Sequence, residues 1–104
     1  MQYFGGWDGV QLISSCMLTI IPNLTRACRP FGVIENVVTP SAYRGQGRGW
    51  GRALLQHALA HAWQARCYKV MLMTGRKDEN TLRFYEQSGF ERHGQQAFVA
   101  RPPQ

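Results

Sequence analysis

Between Thr39 and Leu55 an apolar strand pattern gives way to four glycines at every second position, Gly45, Gly47, Gly49 and Gly51, and then to a helical pattern. Glycine frees the backbone for positive φ and for close approach of a ligand. The first turn of a helix presents unpaired N–H groups and the positive end of its dipole. A strand, turn and helix joined in this way form an anion cradle, and Arg44, Arg48 and Arg52 add charge suited to phosphate oxygens. The spacing fits neither of the commoner phosphate loops. Gly-x-Gly-x-x-Gly would need glycine at Trp50 or Arg52, and no Gly-Lys-Ser/Thr ending occurs in the chain.

The flanking segments give the cradle its place. Gln2–Gly6 and Val10–Ile13 surround Trp7-Asp8-Gly9, a hairpin signal, and strand character continues through Met17–Ile21 until Pro22-Asn23. A basic loop at 25–30 follows, and β-branched residues resume from Phe31 to Thr39. From Trp50 to about Arg66, Leu54, Leu55, Ala58, Leu59 and Ala62 recur at helical spacing, as in a helix lying on a sheet. The nearly continuous apolar run 68–74 predicts a strand buried on both faces. A short helix over 80–87 stops at Gly89, and a last pair of strands is expected at 90–93 and 97–100. The order strand, glycine loop, helix, strand is a crossover, with the loop at the carboxyl end of the strand at 33–39.

These residues resemble the GNAT superfamily of acyl-CoA-dependent N-acetyltransferases. Gln46-Gly-Arg-Gly-Trp-Gly51 is similar to its signature Gln/Arg-x-x-Gly-x-Gly/Ala, and Phe84-Tyr-Glu followed by Gly89-Phe90 to its second signature. The resemblance implies an α+β fold of αβα layers, with a mixed, largely antiparallel sheet whose central strands splay apart. The usual first strand and two helices ahead of the hairpin are lacking. It also implies acetyl-CoA in the splay as co-substrate, with the pantetheine arm along Val37, Val38 and Thr39. The pyrophosphate would lie on the glycine loop, Arg44, Gly45, Gln46, Gly47, Arg48, Gly49, Trp50 and Gly51. Arg44-Gly-Gln-Gly47 offers a second register, but the helix-side one puts Trp50 and Leu54 at apolar positions where the other puts Arg48 and Arg52.

Acetyl transfer to an amine asks for a neutral nucleophile, a donor to the developing oxyanion and a proton for the departing thiolate. By resemblance Tyr85 supplies the proton and contacts the cofactor, and the backbone N–H of Val38 supplies the oxyanion donor. Glu35, a carboxylate in an otherwise apolar strand, is the candidate base if burial raises its pKa. Asn80 is a further cofactor candidate, although Asp78 stands where many relatives carry asparagine; Arg76 and Lys77 read as a solvated turn. Ile34-Glu-Asn-Val-Val38 and Cys67-Tyr-Lys-Val70 resemble the glucosamine-6-phosphate N-acetyltransferase branch, with Asn36 in place of its usual aspartate.

Composition bounds the partners. A chain of 104 residues makes one domain, 1–104, and a net charge of +6 suits a phosphorylated ligand. No nucleic-acid motif accompanies the charge, which makes nucleic acid an unlikely partner; a degenerate, non-catalytic CoA-binding or nucleic-acid-binding module is the alternative reading. Cys16, Cys28 and Cys67 lack any Cys-x-x-Cys pair and read as small buried residues in a reducing compartment. His57 and His61 are spaced i, i+4 without a third ligand, so no metal is expected. Neither a leader nor an apolar run long enough to cross a bilayer is apparent, and a cytoplasmic protein without membrane contact is expected. A homo-oligomer covering exposed sheet completes the expectations.

Overall fold

The computed structural model describes residues 1–38 and 49–103. Four strands form one sheet in the order β1 (Gln2–Asp8), β2 (Gln11–Ile21), β3 (Phe31–Val38) and β4 (Val70–Leu72). The first three are antiparallel and β4 is parallel to β3. Gly9, at φ +62, and Val10 make the tight turn between β1 and β2, as Asp-Gly between apolar runs predicts.

Helix α1 (Trp50–Gln64) makes the crossover from β3 to β4. It buries Leu54, Leu55, Ala58 and Ala62 against Cys16, Leu18 and Ile34, the face that its sequence period marks. Leu55 and Ala58 are fully buried, and a buried leucine contributes about 1.5–3 kcal/mol. Phe4, at the rim of this core, meets the ring edges of His57 and His61 at 5.2 and 5.5 Å, so both histidines pack on an aromatic ring.

The opposite face of the sheet is open. Tyr3, Trp7 and Leu12 are exposed there, and among the described residues no helix covers them. This is why β4 differs from the expected doubly buried strand of 68–74. Only three of its residues pair, all half-buried, because among the described residues it is the sheet edge with β3 as its one neighbour.

The expected strands at 90–93 and 97–100 do not form. Arg92 is drawn onto helix α2 (Glu79–Gln87), its guanidinium donating to Glu79 at 3.1 and 2.7 Å and to Glu86 at 2.7 Å. That pulls the chain after Phe90 toward α2. Further on, Phe98 and Val99 are adjacent rather than alternating, so they give a strand no single apolar face, and Phe98 is 91% exposed. Cys28 also departs from expectation. It is exposed in a tight turn, whereas Cys16 and Cys67 are buried and burial pushes both thiols up.

Candidate active site

The site begins with a mismatch in strand length. β3 pairs with β4 only from Gly32↔Val70 to Ile34↔Leu72, after which β4 ends and β3 continues through Glu35, Asn36, Val37 and Val38. On the other side β2 follows it further, with Met17 opposite Glu35 and Ser15 opposite Val38. One residue of β2 therefore faces two of β3. The extra residue is accommodated as a bulge at Asn36, whose φ of +55 is a left-handed conformation that asparagine tolerates better than most side chains.

The bulge changes which valine faces the core. Plain alternation from Ile34 would turn Asn36 and Val38 toward α1; instead Val37 packs on the core and Val38 is 53% exposed. The half-strand past Ile34 keeps one edge without a strand partner, at the carboxyl end where the chain leaves for α1.

Gly49, in the left-handed conformation at φ +69, is the N-cap of α1, and no side chain caps this end. The first i to i−4 bond runs from the Ala53 N–H to the Gly49 carbonyl at 2.9 Å, which leaves the N–H groups of Trp50, Gly51 and Arg52 without helical acceptors. An anion at this helix start would meet donors and the positive end of the dipole. The remaining loop candidates, Thr39, Arg44, Gly45, Gln46, Gly47 and Arg48, lie outside the described residues.

Tyr85 approaches from α2. Its ring lies tilted against Phe84 at 5.1 Å and meets Phe90 edge-on at 6.5 Å, and it lines a groove of about 740 Å³ together with Leu72, Met73 and Thr74 at the carboxyl end of β4. Burial raises the phenol pKa, partly offset by the positive charge of Arg76. Tyr85 therefore keeps its proton at neutral pH, the state a proton donor needs.

The C-cap region of α2 is pinned to α1. Gln56 donates to the Ser88 carbonyl at 3.2 Å, and the buried Ser88 hydroxyl donates to the Phe84 carbonyl at 2.8 Å. The N-terminus of α2 explains Asp78. Its carboxylate accepts the Thr81 N–H at 3.1 Å and the Thr81 hydroxyl at 2.8 Å, so it caps the helix. Those bonds, with Arg76 beside it, hold its pKa below the ordinary carboxylate value. Asn80 is exposed on the same first turn.

Glu35 requires a correction. It is exposed on β3, opposite to the Ile34 side, so the burial expected of it is missing. The side chain lies on the uncovered sheet face, where water reaches it. Among the described residues, no group of three or more His, Cys, Asp or Glu side chains could hold a metal ion.

A model of the acetyltransferase (GNAT) family matches residues 1–90. The chain belongs to the GNAT family. Its fold is a truncated form of the GNAT fold, in which the bulged β3 outruns its short parallel neighbour β4. A putative acetyltransferase from Agrobacterium tumefaciens is 45% identical with a TM-score of 0.89, over 96% of this chain and 67% of that one. Glucosamine 6-phosphate N-acetyltransferase of Trypanosoma brucei brucei is 38% identical over 83% of this chain and 55% of its own length. Mycothiol acetyltransferase of Geodermatophilus obscurus is 32% identical over 88% of this chain and 29% of its own. The GNAT chain thus spans about half or less of the curated relatives it matches. Those relatives carry different acceptor names at similar identity, so likeness alone does not choose an acceptor.

Among the described residues, no helix is long and apolar enough to cross a membrane.

Proposed function

We propose that this GNAT chain binds acetyl-CoA along the open half of β3 and transfers its acetyl group to a primary amine on a small molecule, an amino-sugar phosphate being one candidate acceptor. One observation carries the reading: β3 outruns β4 by four residues, between the start of α1 and a groove lined by a half-buried, protonated tyrosine.

The thioester supplies an activated carbonyl; this chain's residues manage its charges and protons. The amine nitrogen bonds to the carbonyl carbon, and the Val38 N–H faces the oxygen that becomes negative. As the carbon–sulfur bond breaks, the Tyr85 phenol gives its proton to the leaving sulfur. Glu35, being exposed, takes the amine proton through water rather than as a buried base. Val37 and Val38 bound the pantetheine arm, and Thr39, Arg44, Gly45, Gln46, Gly47 and Arg48 join Gly49, Trp50 and Gly51 around the pyrophosphate. The likeness to glucosamine 6-phosphate N-acetyltransferases and the net charge of +6 both favour a phosphorylated acceptor.

Calorimetric titration with acetyl-CoA, repeated with dephospho-CoA and at raised salt, tests the cofactor reading without a known acceptor. Saturable micromolar binding that weakens with salt is expected, and absence of binding would overturn it. Binding without turnover on glucosamine 6-phosphate or other amines would leave a non-catalytic CoA-binding module. The exposed Tyr3, Trp7 and Leu12 further support a homo-oligomer that covers this face. Sedimentation should then show a species larger than 11.8 kDa; a monodisperse monomer would rule that assembly out.

A further inference from the structure

The end of the sheet away from the cofactor cleft carries a second concentration of positive charge. Because β3 and β4 are parallel, the residues entering them lie side by side: the Tyr68 N–H donates to the Pro30 carbonyl at 2.9 Å and the Gly32 N–H to that of Lys69 at 3.0 Å. This brings Arg26 and Arg29 against Arg66 and Lys69. Arg29 is already engaged, donating to the Arg66 and Cys67 carbonyls at 3.1 and 3.3 Å beyond the end of α1. Among the described residues, Arg26 and Lys69 are engaged only by rings. The Arg26 guanidinium lies 5.4 Å from the Tyr68 ring centre, and the Lys69 ammonium 5.3 Å from the same ring and 5.7 Å from Phe31.

Among the described residues, neither Arg26 nor Lys69 forms an ion pair with a side-chain carboxylate. The six acids are Asp8, Glu35, Asp78, Glu79, Glu86 and Glu91. Asp78, Glu79 and Glu86 pair with Arg76 and Arg92; Asp8 ends β1, Glu35 is four residues along β3 from Phe31, about 13 Å, and Glu91 lines the same groove as Lys69 without an ion pair to it.

The backbone points the same way independently. Arg26, Ala27 and Cys28 have φ of +55, +57 and +62, three successive left-handed residues of which none is glycine. None is buried, so apolar packing does not offset the strain. Strain of this kind is found at ligand clamps, and here it accompanies the seating of Arg26 over Tyr68.

We infer that Arg26 and Lys69, around Tyr68, form a second anion site that takes a compact phosphate group. Tyr68 already carries two cations and Phe31 one, so the rings offer no open platform for stacked bases, and the patch is a cluster rather than a track. It lies at the far end of the groove that Tyr85 lines, since Tyr68 and Lys69 line that groove too, and Phe31 and Val38 are seven residues apart along β3, about 23 Å.

The test is a titration of the full ¹⁵N-labelled chain with inorganic pyrophosphate, followed at each amide, with and without saturating CoA. Saturable shifts at residues 25–31 and 66–70 are expected, persisting when CoA is present. In an Arg26→Gln/Lys69→Gln chain the apparent Kd at these amides should rise at least tenfold, while amides 49–53 respond as in the unsubstituted chain, which also shows that the variant is folded. Shifts confined to 49–53, or an unchanged Kd in the variant, would overturn the site. Tighter binding of a single-stranded oligonucleotide than of pyrophosphate at the same amides would also overturn it, in favour of a nucleic-acid surface. Failure of acetyl-CoA to bind would leave these outcomes as they stand.

Discussion

A Tyr85→Phe chain is expected to lose about a hundredfold to ten-thousandfold in turnover while binding acetyl-CoA as tightly as the unsubstituted chain. Phenylalanine keeps the ring contacts with Phe84 and Phe90 and removes only the hydroxyl, so packing in the groove is preserved. The pH behaviour separates a proton donor from a core aromatic. Burial raises the phenol above its ordinary value of 10.0, so Tyr85 stays protonated across the neutral range, and an acidic limb in the rate must come from the amine or another base. For stability, the raised folded-state value means that this contribution is fully present below pH 10 and is lost as pH rises through the folded pKa. The phenylalanine chain should therefore lack both the turnover and this part of the alkaline destabilisation. Single-turnover kinetics and alkaline unfolding midpoints measure the two effects. Unchanged single-turnover rates would remove Tyr85 from the chemistry.

Tyr85 is assigned a role by resemblance to a family signature, while what the residues themselves make legible is local. Phe84-Tyr-Glu lies on a short helix with a legible stop at Gly89, and the apolar spacing of Leu54, Leu55, Ala58 and Ala62 marked the buried face of α1. The hairpin and β3 were legible for the same reason, since turn residues and β-branched runs act over a few positions. Sheet position was not legible. Whether 68–74 sits in the middle of a sheet or at its edge depends on what else pairs, and only Val70–Leu72 found a partner. The tail shows the same limit, because the ion pairs that draw Arg92 onto Glu79 and Glu86 join residues 13 and 6 positions apart. The exposure of Glu35 is likewise not legible, because an apolar strand does not say which of its faces is covered, and here the face that carries Glu35 is open. Asn36 was noted only as a replacement for aspartate. Its left-handed φ is the one signal for the bulge, and asparagine in a β-branched run could have suggested it.

Asn36 is the position where a single substitution should close the cleft. In an Asn36→Val chain the left-handed conformation costs a β-branched side chain about 1–2 kcal/mol, so the strand gains by returning to extended φ and losing the bulge. Removing the bulge shifts everything beyond it to the other face: Val38 turns toward α1, and Val37 turns out of the core it now packs against. The departure of the chain toward Gly49 and the start of α1 is re-aimed as well. Acetyl-CoA affinity should fall at least tenfold, with a melting temperature lower by about 4–8 °C for each kcal/mol that is not relieved. Asn36→Gly separates the two consequences, because glycine adopts φ +55 without steric cost and keeps the bulge while making the unfolded chain more flexible. It should lose up to about 1 kcal/mol of stability and retain cofactor affinity. Calorimetry and thermal melts on the two chains decide the matter. Loss of affinity in both would mean that the asparagine side chain itself, rather than the backbone conformation it permits, is what the cofactor site requires.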